Sequence, residues 1–149
     1  MACAILFALA TLIIQLSTGD LKVSVKNVGD KKAMIAAESG IHRLVQDFSS
    51  DSTTWTADNP SLPYSTNCTT TTPTYIWHTI ASGSGLDANT KYAVCAPTES
   101  ALPPVRIAGY ALGGGDEGGW GIQRYDARVA GKNDWYSASV SGDVGIGYG

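Results

Sequence analysis

Charge is scarce in this chain. Ten Lys and Arg and thirteen Asp and Glu among 149 residues make 15%, against about 25% in an average soluble domain. The net charge is −3, and apart from the pair Lys31-Lys32 no Lys/Arg cluster is present. A phosphate backbone therefore has no basic face to meet, and nucleic acid is not expected as a partner. Histidine and cysteine are few as well. His42 and His78 stand alone, and the three cysteines lack the short pair spacing of a zinc site, so no metal or other cofactor is expected. The chain has no G-x-S-x-G elbow, no H-E-x-x-H and no Cys with a base close in sequence, which removes the readable signatures of an enzyme. The glycines from Gly113 to Gly121 lack the G-K-[ST] ending of a phosphate loop, and Asp116 and Glu117 among them would repel phosphate. That acidic pair reads as a solvated loop, with a Ca²⁺ loop as the lesser alternative. Disorder throughout is excluded by the 44% apolar fraction, which includes four Trp and seven Tyr.

What charge there is avoids one end. Residues 1–19 have none, and Ala, Ile, Leu and Phe run almost unbroken to Ile14. As a helix these nineteen residues would span about 28 Å, close to the hydrocarbon thickness of a bilayer. Three readings compete: a secretory signal, a transmembrane anchor, and a helix buried against copies of itself. A signal should carry a basic opening and a small-residue cleavage site, and residues 1–20 show neither. An anchor meets a conflict of its own, because Lys22, Lys26, Lys31 and Lys32 would place the downstream flank in the cytoplasm while the rest of the chain looks extracellular.

Residues 20–48 form an amphipathic continuation. Met34, Ala37, Ile41, Leu44 or Val45, and Phe48 recur at spacings of three and four, a stripe that needs a partner surface. Ser17-Thr18-Gly19-Asp20 predicts a weak or locally unwound turn between the two parts, with Gly29 and Gly40 softening the rod further. Residues 49–74 hold fourteen Ser or Thr and three Pro, a composition for a surface loop with short extended pieces. Asn67-Cys68-Thr69 is an N-glycosylation pattern, and Thr69, Thr70, Thr71 and Thr72 are candidate O-glycosylation sites.

Short strands follow. Residues 74–80, 90–96, 105–112 and 122–130 are rich in Val, Ile, Tyr, Trp and Thr and are parted by turn residues. Tyr125, Ala127 and Val129 alternate with Arg124, Asp126 and Arg128, so one face is to be buried, and the stripe from Met34 to Phe48 is its expected cover. Val144, Ile146 and Tyr148 alternate with Gly145, Gly147 and Gly149, which suggests a last strand with its glycine face pressed on another backbone. Cys68 and Cys95 both lie in the strand-forming part and are expected to form a disulfide, implying an oxidising compartment. Cys3 reads as an inert buried thiol, with acylation the alternative. The expected fold is α+β: a long N-terminal helix, hydrophobic over 1–19 and amphipathic over 20–48, packed on a small antiparallel β head over 49–149.

An uncharged helix running into an amphipathic one, a Ser/Thr-rich loop, an antiparallel meander and a cysteine bridge together resemble a type IV pilin. The segment from Lys31 to Ile41 contains Ala36-Ala37-Glu38-Ser39-Gly40, similar to the Ala-Ala-Glu-(Ala/Ser)-Gly stretch of PilX-type pilin-like proteins. Val144-Gly145-Ile146-Gly147-Tyr148-Gly149 is similar to the last strand of that group. The resemblance implies a basic leader removed by a prepilin peptidase, with Met1 as the methylated first residue of the mature chain. It also implies filament assembly through the helix, here Ala4, Ile5, Leu6, Phe7, Leu9, Leu12, Ile13 and Ile14. Most major pilins carry Glu where this chain has Ile5; some minor pilins and pseudopilins also lack it. Implied partners are copies of the chain in an extracellular helical filament, preceded by the inner membrane and the pilus assembly machinery. A competing reading from the residues is a secreted or tethered binding module, its ligand held by the ring faces of Trp55, Trp77, Trp120 and Trp135.

Overall fold

One helix carries nearly a third of the chain. In the computed structural model, which describes residues 2–80, 87–111 and 119–148, α1 runs from Ala2 to Asp47, 46 residues and about 69 Å. It is continuous through Ser17, Thr18 and Gly19, so the expected unwound turn does not occur. The Thr18 hydroxyl donates back to the Ile14 and Gln15 carbonyls, and a lone glycine inside 46 residues costs only about 1 kcal/mol of propensity.

The rest is an antiparallel sheet of six strands: β1 (His78–Thr79), β2 (Thr90–Val94), β3 (Thr98–Glu99), β4 (Val105–Ala111), β5 (Gly119–Asn133) and β6 (Ala138–Tyr148). The chain is thus α+β, a long N-terminal helix packed on a small antiparallel head. β5 is the spine. Along one edge it pairs with β6 over eleven residues, from Gln123↔Tyr148 to Asn133↔Ala138. Along the other it meets β2, β3 and β4 in turn. β5 is longer at both ends than the expected 122–130, β6 begins five residues before the expected alternation, and of the expected 74–80 only His78–Thr79 is strand.

α1 crosses the sheet antiparallel to β5. A Cβ built on Gly29 would meet Tyr136, one on Gly131 would strike the Ala33 carbonyl oxygen, and one on Gly40 would lie 2.7 Å from Val129. Farther along, the Phe48 and Tyr125 rings sit 5.2 Å apart. The β5–β6 turn therefore points toward the N-terminus of α1. Gly29, Ala33, Ala36 and Gly40 form a small-residue seam that lets helix and strand backbones touch, and Leu44 closes the core beyond it.

That seam corrects the expected stripe. Ala37, Ile41, Leu44 and Phe48 do pack on the sheet, but Met34 and Val45 are 59% and 63% exposed. A backbone-to-backbone approach has no room for a large side chain, so the seam runs one residue before the one that hydrophobicity marks. Gly29 and Gly40 are seats for the head rather than soft points. The glycine face of β6 is not pressed on another backbone: at Gly145 the atom nearest a Cβ is an Asp126 carboxylate oxygen at 4.0 Å, at Gly147 it is the Ile122 side chain at 2.9 Å, and Gly149 lies outside the described residues.

Tyr125, Ala127 and Val129 are buried against α1 as their alternation requires. Segment 49–74 does more than cross the surface, because Leu62 and Tyr64 join Leu44, Val94, Ala127 and Val129 in the core. Ser65 bonds through its backbone to Val94 and Ala96, which fixes this segment beside the end of β2.

Candidate assembly and anchoring surface

Two halves of α1 live in different surroundings. From Gly29 onward the helix is seated on the sheet; from Ile5 to Val28 every described side chain is exposed. Ile5, Leu9, Leu12, Ile13, Ile14 and Leu16 are over half exposed, and the apolar surface continues through Leu21, Val23 and Val25. The free part, residues 2–28, is about 40 Å long. By length and composition α1 is able to cross a membrane, and none of its most apolar stretch is covered by the head. Two of its hydroxyls turn inward on the helix itself, Thr11 donating to the Ala8 carbonyl and Thr18 bonded as above. Hydroxyls satisfied in this way cost little in an apolar medium. Met1 and the side chains of Cys3, Ala4, Leu6 and Phe7 lie outside the described residues.

The seated half is locked to the head by polar contacts around the apolar seam. Lys32 donates to Asp87 at 2.5 Å, and Arg43 donates to the Ser61 carbonyl at 3.0 Å. The Lys32 hydrogen bond, assisted by the Thr90 hydroxyl and the Asn89 amide, holds the Asp87 carboxyl below its ordinary range and raises Lys32 in return. Lys91 and Lys132 lower Asp134 at the β5–β6 turn, and Arg128 lowers Asp143 across the β5–β6 ladder. All of these pairs are solvent-accessible, so each contributes little alone.

Cys68 and Cys95 are bonded to each other, with Cα atoms 6.2 Å apart, and tie the Ser/Thr segment to the end of β2. Asn67 is exposed, its carbonyl accepting from the Thr74 amide and its side-chain oxygen from the Thr70 hydroxyl. Thr69, Thr70, Thr71 and Thr72 are exposed on the same loop, so all five candidate glycosylation positions are open to solvent. Beside them a cavity of about 290 Å³ is lined by the disulfide, Thr69, Asp126, Arg128 and Asp143, with Arg128 and Asp143 paired to each other at 2.7 Å.

The tryptophans divide. Trp55 donates to the Ser49 carbonyl and stacks with Phe48 and Tyr125. Trp77 contacts Tyr75 and has the Lys132 ammonium 4.5 Å from its ring. Trp135 is 75% exposed, and the Trp120 side chain lies outside the described residues, as do Asp116 and Glu117. His78 bonds the Pro63 carbonyl and leans on Tyr92. No cluster of three metal-binding side chains occurs among the described residues.

These features define a class of architecture: a compact antiparallel head carried on a helix that projects about 40 Å beyond it with its apolar side chains uncovered. Compared with known families, curated proteins and solved structures, the chain matches no family model, no curated protein and no solved structure.

Proposed function

We propose that the chain is a structural subunit of an extracellular type IV pilus-like filament, assembling through the free half of α1 and serving adhesion, motility or surface contact. The observation that carries this reading is the uncovered apolar helix projecting from a folded head. Such a surface needs a second medium. A bilayer supplies it before assembly, and the same helices of neighbouring subunits supply it afterwards. Burying about 1,000 Å² of apolar surface per subunit would yield about 25 kcal/mol gross, before the ordering cost of association. In the proposed assembly each contact is head-to-tail, and a repeated heterologous contact whose rotation does not close generates an open helical polymer instead of a ring. The disulfide and the exposed Ser/Thr loop suit the outside of such a fibre, where oxidation and glycosylation take place.

The test is electron microscopy of material sheared from the native cells, with intact mass of the dominant species. Fibres built from this chain are expected. Monomers alone, with the chain absent from any fibre, would contradict the reading and return weight to a tethered binding module.

A further inference from the structure

The β5–β6 turn holds the most exposed large apolar side chain among the described residues, Trp135, and the turn is built to keep it there. The Asn133 side chain donates to Thr90 at 2.9 Å and accepts from the Tyr136 amide at 3.1 Å. The Asp134 amide donates to the Asn89 carbonyl, and its carboxylate holds both Lys91 and Lys132. Tyr136 lies under the Lys32 ammonium and against Gly29. Every neighbour of Trp135 thus has a partner inside the head, while the indole has none of these.

The direction of the turn gives the exposure a meaning. Because β5 runs antiparallel to α1, the turn meets the helix at Gly29, nearer its uncharged end than the Ala33, Gly40 and Phe48 contacts with β5. Lys22 and Lys26 precede Gly29 by seven and three residues, so they lie on the helix face that carries the head, two turns and one turn below the contact with Tyr136. Two exposed lysines and an exposed indole therefore lie on one side of α1, between the head and the uncharged run. That combination suits a phospholipid headgroup layer: tryptophan favours the interface, and lysines there meet lipid phosphates. Gly19 to Gly29 spans about 15 Å along the axis, and a tilt of about 20° toward the lysine face, usual for a spanning helix, lowers a turn about 10 Å from the axis by about 3–4 Å, toward the headgroups that Lys22 and Lys26 reach.

We propose that the β5–β6 turn is a second membrane contact, in which Trp135 seats at headgroup level beside Lys22 and Lys26 and fixes the tilt of the head over the bilayer. This rests on the reading that the free half of α1 anchors the subunit in a membrane. In that state the turn would hold the head against the membrane, and extraction into a filament would release it.

The experiment uses the full chain reconstituted into vesicles of phosphatidylethanolamine and phosphatidylglycerol, with flotation as an independent measure of anchoring. Tryptophan emission is compared with and without lipids brominated near the top of the acyl chain, in the native chain and in Trp135→Phe. Trp120 is replaced by Phe in every chain compared, Trp55 packs at the opposite end of the head and Trp77 on Lys132, so the quenchable signal is expected to belong to Trp135. The proposal predicts quenching in the native chain, loss of most of it in Trp135→Phe with flotation unchanged, and a weaker signal in the doubly substituted Lys22→Gln, Lys26→Gln chain. Equal quenching in Trp135→Phe, or none in a native chain that floats, overturns the turn contact and leaves the anchor standing. A blue shift that depends on protein-to-lipid ratio without lipid quenching assigns the indole to a second copy and also overturns it. Failure to float overturns the anchor reading and this inference with it.

Discussion

The two halves of α1 both carry exposed large apolar side chains but are structurally opposed. Leu9, Leu12 and Ile13 in the free half and Met34 and Val45 in the seated half are all exposed, while the sheet is met first by Gly29, Ala33, Ala36 and Gly40 and beyond them by Ile41, Leu44 and Phe48. Small residues make the close backbone contact with the head, and large ones join it only toward the far end of the helix. Large side chains are available for association with a lipid phase or another copy, and small ones give the close fit that fixes the head. The difference separates folding from assembly along one continuous rod.

The sharpest way to break that separation is at the head. Replacing Cys68 and Cys95 by Ser opens a crosslink spanning 27 positions and is expected to cost about 3–4 kcal/mol, seen as a large fall in the head's melting temperature with vesicle flotation unchanged. Ile13→Asp should do the converse. A carboxylate near the middle of the uncharged run opposes membrane insertion by about 3 kcal/mol, so flotation falls while the melting temperature of the head stays put.

Glycine substitutions sharpen the comparison. Gly131→Ala drives a Cβ into the Ala33 carbonyl and to 2.5 Å of the Ala37 amide nitrogen; an overpacking loss of about 2–3 kcal/mol is expected in denaturant unfolding. Gly142→Ala, on a strand with open space around it, should stabilise the head by about 0.5 kcal/mol through the unfolded chain. Equal effects at the two sites would contradict the seam.

The smallest effect is on pH. Asp87, Asp134 and Asp143 are lowered by Lys32, by Lys91 and Lys132, and by Arg128. Their contribution is thus present above an ordinary carboxylate pKa near 4 and is lost as pH falls through the lowered folded values. Lys32 is raised, so its share persists below about 10.4 and fades only as pH rises through its folded value. A melting temperature that is flat from about pH 5 to 9 and declines gently below about pH 4 is the expected profile.

Much of this was legible in the sequence. The uncharged run, the period-two burial of Tyr125, Ala127 and Val129, and the Cys68–Cys95 bridge all follow from composition and alternation. The seam was legible only in part, because the stripe marks Ala37, Ile41, Leu44 and Phe48, which pack on the sheet, together with Met34, which does not, while close packing selects Ala33, Ala36 and Gly40, and only the position of β5 decides between them. The glycines of β6 misled for the same reason: a missing side chain is equally silent at Gly145, where no backbone comes close, and at Gly131, where a helix backbone fills the space. Trp135 stood out in the sequence only as one of four tryptophans, and its exposure comes from the turn that presents it.

The central claim is that residues 2–28 serve association and are dispensable for the fold. It is tested most directly by a chain beginning at Asn27, compared with the full chain in thermal unfolding and in sedimentation. The account predicts a soluble monomer with the Cys68–Cys95 bridge intact and the melting temperature of the full-length head. A shortened chain that is unfolded, or that still associates with membranes and fibres, would contradict it.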